Sequence, residues 1–349
     1  MSSTSIGLDI KGTAMSSAYA IERSTPTSRV AAIMALVLVA GLIAAPWWAG
    51  RANLRLLGEI YTFVALSSLW NLLAGYTGLV SVGQQAFVGL GGYTLFGLTI
   101  FTGVPPLVAV ALAGVIGGAG ALLLAPLLFR LQGAYFAIGT WVAAEVFRLS
   151  FAQVAALGGG SGTSLPTAIV VSIAADRSLR EGLIYWSALA LTLVALGFVI
   201  ALLRSRTGLA LTAIRDSEIA SESCGINIAW TKILVYVATA AISTMVGALI
   251  FLQKLRISPE AAFSVNDWTA FVIFIVVIGG IGTIEGPLVG TLVFFALRET
   301  LANLGTTYLL ILGAVAIVVM LKAPKGLWGV VADRFGIALV PIRRQVKTR

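Results

Sequence analysis

The sequence predicts an all-α fold, a polytopic transmembrane helical bundle of about ten spans, and three observations carry that prediction. The chain is 59% hydrophobic and 11% charged, where an average soluble protein is about 25% charged. Its mean hydropathy is +1.00. Its apolar runs repeatedly reach the roughly 20 residues that a helix needs to cross about 30 Å of hydrocarbon. Alternation of period two between aromatic girdles is missing, which sets a transmembrane β-barrel aside.

Residues 1–29 are polar and rich in Ser, Thr and Gly, as expected of a disordered cytoplasmic tail. The first apolar run, 30–49, is too long and uniform for a cleaved signal peptide and reads as a retained span. Further spans are expected at 56–76, 79–101, 107–129, 134–156, 183–203, 233–253, 268–283, 288–304 and 308–322. The membrane domain thus covers 30–323, and 324–349 forms a basic cytoplasmic tail. An even number of spans puts both termini on one side, and the charges choose the side. With the N-terminus inside, Arg130, Arg204, Arg206, Arg215 and Lys232 fall inside together with the basic tail. The long segment 158–182 falls outside, where Asp176, Arg177, Arg180 and Glu181 cancel. Arg51 and Arg55 lie on the wrong side for the positive-inside rule.

The chain has no histidine and one cysteine, Cys224, which removes an intrachain disulfide, Cys/His zinc or haem sites and histidine-based triads. No cofactor and no metal are expected in this chain. The net charge of +9 reflects basic cytoplasmic loops rather than nucleic-acid binding. No GxxxxGK[ST] phosphate-binding loop occurs, so the chain does not hydrolyse ATP by that route.

Two apolar regions are broken by glycine. "NLLAGYTGLVSVGQQAFVGLGGY", 71–93, holds six glycines, the hydroxyls of Thr77 and Ser81, and the adjacent Gln84 and Gln85. "GGIGTIEGPLVG", 279–290, holds Gly279, Gly280, Gly282, Gly286 and Pro287 around Glu285. Irregular backbone at membrane depth is tolerated only where protein or a water-filled cavity satisfies it. Such breaks in both halves of a chain therefore point to a substrate path, with Gly83 and the second glycine group as hinges. Close helix packing through small residues is the alternative, and it leaves Gln84 and Gln85 unexplained. Glu145 and Arg148, three residues apart near the middle of a span, share one helical face. They read either as a structural ion pair or as path-lining groups that hold the two ends of a zwitterion.

The hydrophilic stretch 204–232 is patterned as a small amphipathic helix. Asp216 or Ser217 can cap it, Glu218 then meets the positive end of the helix dipole, Ile219 and Cys224 give a modest apolar face, and Gly225 ends it. A solvated loop helix and a helix that docks on a partner both fit.

"NLLAGYTGLVSVGQQAFVGLGGY", "RDSEIASESCGIN", "GGIGTIEGPLVG" and "PKGLWG" (324–329), in that order, resemble the permease subunit of branched-chain amino acid ABC transporters. The resemblance runs from about residue 56 to residue 329. It implies a type II importer in the bacterial inner membrane, with a related second permease, two cytoplasmic ATPase subunits and a periplasmic or surface-tethered substrate-binding protein. It makes the stretch from Arg215 to Ile226 a cytoplasmic coupling helix, with Arg215, Asp216, Glu218, Ile219, Glu222 and Gly225 facing the ATPase. Glu145 and Arg148 match the family's Glu-x-x-Arg, which leaves both of their readings open. Trp141 replaces a usually smaller residue in the substrate path, and "GGGSGT" at 158–163 replaces a threonine-led Gly-Gly turn. The implied substrates are branched-chain or other hydrophobic amino acids, while similar permeases take urea, short amides or aromatic acids. An ion-coupled secondary transporter is the alternative, although Glu59, Glu145 and Glu285 offer it little proton chemistry.

Overall fold

Apolar runs fold as helices, α-helical even across an interior proline such as Pro126, because only a helix or a closed barrel satisfies the backbone groups of a lipid-embedded segment. The computed structural model describes residues 19–22, 26–301, 305, 307–335 and 345–348. In chain order its helices are α1 (Pro26–Ile43), α2 (Ala45–Trp48), α3 (Arg51–Asn71), α4 (Gln84–Phe101), α5 (Pro106–Leu128) and α6 (Ala134–Ala152). They continue with α7 (Thr167–Ile173), α8 (Arg177–Arg204), α9 (Arg206–Asp216), α10 (Glu218–Ser223) and α11 (Ile228–Lys254). The last are α12 (Pro259–Ala262), α13 (Phe271–Gly279), α14 (Gly286–Leu301), α15 (Thr307–Lys322) and α16 (Gly326–Phe335). A π-helical turn, Leu72–Tyr76, extends α3, and another, Asn266–Ala270, leads into α13. Two short antiparallel ladders pair β1 (Tyr19–Glu22) with β4 (Gln345–Thr348), and β2 (Thr163–Ser164) with β3 (Arg256–Ile257).

All ten expected spans coincide with helices, but they do not all have the length of a crossing. Among the described residues six helical stretches are long and apolar enough to cross a membrane, and a seventh arises if α6 is joined across a bend of 87° to the turn that follows it. The expected span 79–101 begins only at Gln84, because residues 79–83 are non-helical. The expected span 268–283 stops at Gly279, before a non-helical loop over 280–285. Within the stretch read as a basic tail, α16 occupies Gly326–Phe335. Most of the expected N-terminal tail, 1–18 and 23–25, lies outside the described residues.

Helix α11 is the central post, packed on α3, α4, α5 and α8, while α3 also packs on α8, α13 and α14. The apolar stretch of α3 with its π-turn is 78% buried, whereas that of α15 and α16 is 6% buried and lies on the periphery. Several buried Ser and Thr hydroxyls return to their own helix. Thr99 donates to the Leu95 carbonyl at 2.7 Å, Thr244 to Ala240 at 2.7 Å and Ser67 to Phe63 at 2.6 Å, which removes the cost of an unpaired polar group. Helices α8 and α11 start on side-chain caps: the Leu179 amide donates to Asp176 at 3.0 Å and the Trp230 amide to Asn227 at 3.0 Å.

Candidate functional site

The first broken region is a return of the chain into the bundle. After the π-turn, residues 77–83 run back alongside α3 before α4 starts. Trp70 Nε1 donates to the Ser81 carbonyl at 2.8 Å, and the Val82 amide donates to Thr140 Oγ1 of α6 at 3.0 Å. At the start of α4, Gln84 Nε2 donates to the Leu66 carbonyl at 3.3 Å. Leu66 lies ten residues before Tyr76, or about 15 Å at 1.5 Å per residue. The N-terminus of α4 is therefore deep inside the bundle, with Gln84 and Gln85 buried. Gln84 also reaches Ser243 Oγ at 3.5 Å, and Gln85 Oε1 accepts from the Thr269 hydroxyl. Thr77 donates to the Leu73 carbonyl, and Ser81 Oγ accepts from the Gly83 amide at 3.2 Å. Gly83 lies in the break, packed against Thr140, while Gly89, Gly91 and Gly92 lie inside α4, against Phe263, Thr244 and Phe251.

The second broken region docks on the end of α3. Asn71, 1% exposed, donates through Nδ2 to the Thr283 carbonyl at 2.7 Å and accepts at Oδ1 from the Gly282 amide at 2.8 Å. Gly75 permits this approach, because a Cβ there would lie 2.6 Å from the Gly282 nitrogen. The carbonyls of the last helical turn have no partner in the helix itself. Arg215, from the end of α9, meets that need: its Nη1 donates to the Gly75 carbonyl at 2.9 Å. A cation at this end also complements the helix dipole. The start of α16 closes the junction, with Gly326 packed on Gly279 and Gly280.

The stretch expected to be one coupling helix is two. Helix α9 ends at Asp216, and α10 begins after Ser217, whose Oγ accepts from the Ala220 amide at 3.3 Å. Of the two expected caps Ser217 therefore acts, and Asp216 instead accepts from Arg215 Nε and Nη2 at 3.0 and 2.9 Å. The end is as expected: Gly225, at φ +79, donates to the Glu222 carbonyl at 2.9 Å while Ile226 donates to Ser221 at 3.1 Å, the two bonds of a Schellman motif. Glu218 accepts from Lys232 Nζ at 2.6 Å. Ile219 is 82% exposed, so the expected apolar face points away from the bundle. Between α10 and α11 a cleft of about 560 Å³ is lined by Glu218, Glu222, Asn227 and Lys232.

On α6, Arg148 grips Glu145 through Nε at 2.9 Å to both carboxylate oxygens and through Nη2 at 2.5 Å. The pair lies near the middle of the helix, yet 42% of the Glu145 side chain and 34% of the Arg148 side chain remain exposed. Ile138, Trp141, Val142, Val146 and Leu149 are exposed on the same helix, while Phe136, Thr140 and Ala144 form its buried seam. A charge at mid-bilayer costs about 2.5–3.5 kcal/mol, so a face that carries two of them requires cover from water or from another subunit. Among the described residues no group of three His, Cys, Asp or Glu stands close enough to hold a metal ion.

A model of the family described as "Branched-chain amino acid transport system / permease component" matches residues 50–321. The chain belongs to this family. Two relatives, both named high-affinity branched-chain amino acid transport system permease protein LivM, come from Salmonella typhimurium and Escherichia coli K12. They are 27% and 26% identical to the chain over 330 residues, which cover 88% of it and 76% of each relative. No solved structure is a match. As a member of a permease family with several membrane-crossing helices, the chain is a multi-pass transport subunit and not an enzyme.

In this permease the expected site residues form three groups. Thr77, Ser81, Gln84 and Gln85 are buried and bonded within the chain, and Thr140 links them to α6. Trp141, Glu145 and Arg148 line the outer flank of α6. Arg215 joins α9 to the junction of Gly75 with the loop over 280–285. Sequence reasoning missed Asn71 and Arg298. Asn71 is a lone amide in an apolar run, and its meaning emerges only from a contact 212 positions away. Arg298 of α14 donates to both oxygens of Glu59 at 2.8 Å, which accounts for that intramembrane acid as half of an ion pair.

Proposed function

We propose that the chain is the membrane subunit of an ATP-driven importer that moves branched-chain or other hydrophobic amino acids into the cytoplasm. It works with a related second permease, two cytoplasmic ATPase subunits and a periplasmic or surface-tethered binding protein, in the bacterial inner membrane with both termini cytoplasmic. It needs no cofactor of its own. The names of its relatives support the substrate class. The single observation that supports the coupling is the Arg215 bond to Gly75, which ties the exposed α9–α10 pair to the broken ends of α3 and α13.

In this mechanism ATPase closure presses on α10, where Ile219 projects. The push reaches α11 through the Asn227 cap and the Lys232–Glu218 pair. It reaches α3 through Arg215, and Asn71 passes it to the loop over 280–285. The α6 flank with Trp141, Glu145 and Arg148 forms one wall of the path, and the second permease supplies the other. A rigid-body tilt of α11 and α3 then opens that path alternately to the two sides.

The test is co-purification with the ATPase subunits, wild type against Glu218→Lys combined with Gly225→Pro. Lysine at 218 faces Lys232, and proline adopts neither φ +79 nor the amide bond to Glu222. The wild type retains the ATPases and the variant loses them with insertion unchanged. Gradient-driven uptake by the chain alone, without ATPase recovery, would assign it to secondary transport instead.

A further inference from the structure

At the end of the bundle remote from α9 and α10, the N-termini of α3 and α8 open onto a cavity of about 250 Å³. Arg51, Arg55, Arg177 and Arg180 line it, together with one carboxylate, Glu181. That carboxylate lies 3.6 Å from Arg51, 3.6 Å from Arg55 and 3.2 Å from Arg177. Arg180 instead donates to the Ala174 carbonyl at 3.1 Å. Four guanidiniums against one carboxylate give the cavity lining a charge of +3, which Asp176 at the adjoining α8 N-cap reduces to +2.

This placement opposes two ordinary preferences. Arg51 is the first residue of α3, whose N-terminus has no side-chain cap, and there the dipole favours an anion and penalises a cation; α8 already carries the Asp176 carboxylate at its N-cap. Arg51 and Arg55 also break the positive-inside pattern. Both penalties are relieved if an anion occupies the space between the helices. Leu54, Ile184 and Leu252 give the cavity an apolar wall. Its height is marked by α2, whose Trp47 and Trp48 are 73% and 69% exposed just ahead of Arg51. Trp47 packs on Trp186 of α8 at 5.8 Å. Exposed tryptophans at helix ends sit at the headgroup layer.

We propose that this cavity binds a phosphate-type anion, the phosphodiester of an anionic lipid headgroup, with the lipid's apolar part against Leu54, Ile184 and Leu252. Arginine suits the task, since its planar fork meets phosphate oxygens two at a time. The bound headgroup joins α3 to α8 at the end opposite the Asn71 junction, in addition to the bond of 2.7 Å between the hydroxyls of Tyr61 and Tyr185.

The full chain in detergent is titrated with phosphatidylglycerol or phosphatidylcholine, and bound lipid is read by native mass spectrometry. The wild type prefers phosphatidylglycerol. Arg55→Gln with Arg180→Gln weakens that binding about 25-fold, at roughly fivefold for each arginine, and leaves phosphatidylcholine unaffected. Arg55→Lys with Arg180→Lys keeps the charge but loses the fork, and weakens binding less than the glutamine pair does, which separates loss of the site from loss of the fold. Displacement by excess inorganic phosphate would make a free anion the source, and resistance to it makes the source the lipid headgroup. Equal retention of the two lipids overturns the proposal. So does a glutamine pair that binds phosphatidylglycerol normally but loses capture of the binding protein, because the cluster would then dock protein.

Discussion

Asn71→Leu is the sharpest perturbation of the junction that links the two broken regions. The amide is 1% exposed and makes two bonds to the loop, at 2.7 and 2.8 Å. Leucine is close in size and excludes water, so the Thr283 carbonyl and the Gly282 amide lose their partner together. An unsatisfied buried polar group costs about 1–3 kcal/mol, which gives about 2–6 kcal/mol for the two. Partial relaxation of a glycine-rich loop brings the expected loss to about 2–4 kcal/mol. Asn71→Asp keeps the acceptor for Gly282 but turns a carboxylate oxygen toward the Thr283 carbonyl, and is expected to lose at least as much. Equilibrium unfolding of the full chain in mixed micelles, followed by the fluorescence of its eight tryptophans, measures the loss. The assembled transporter is expected to hydrolyse ATP without a response to substrate. A variant within about 0.5 kcal/mol of wild type, with normal uptake, would refute the idea that Asn71 holds the loop.

Gly83→Ala places a Cβ 2.7 Å from the Thr140 carbonyl carbon, and such overpacking is expected to cost about 1–3 kcal/mol, read as a lower thermal unfolding temperature. Glu145→Gln leaves Arg148 without its partner at membrane depth and is expected to reduce both yield and uptake. The exchange Glu145→Arg with Arg148→Glu is expected to restore the fold but not transport, whereas full uptake by the exchanged protein would make the pair purely structural. Cys224 is exposed at the end of α10. An impermeant maleimide is expected to label it in inside-out and not in right-side-out vesicles, and bound ATPase subunits are expected to protect it.

The helices were legible wherever apolar runs exceed the thickness of the hydrocarbon, because hydropathy and backbone satisfaction there demand the same structure. The misses share one physical cause. Residues 79–83 are as apolar as a helix, but Trp70 and Thr140 hold their backbone in a non-helical form, which no local pattern encodes. The division between α9 and α10 falls at Ser217, and the role of Arg215 beside it depends on Gly75, a partner 140 positions away. Ser217 and Gly225 were readable because caps depend on residues within the same few positions. The buried state of Gln84 and Gln85 was not readable, since their partners Leu66, Ser243 and Thr269 come from three other segments. The spacing of Glu145 and Arg148 placed them on one helical face and left the ion pair as one of two readings, but the exposure of that pair emerges only when α6 is seen to bury its opposite seam.

The most direct measurement is uptake of radiolabelled leucine into proteoliposomes that contain the chain with its second permease and ATPase subunits, with the binding protein present or absent. Uptake that requires ATP and the binding protein together, and that Arg215→Ala abolishes while the subunits remain assembled, is the predicted result. Uptake by the chain alone under an ion gradient, indifferent to ATP and to Arg215, would contradict it.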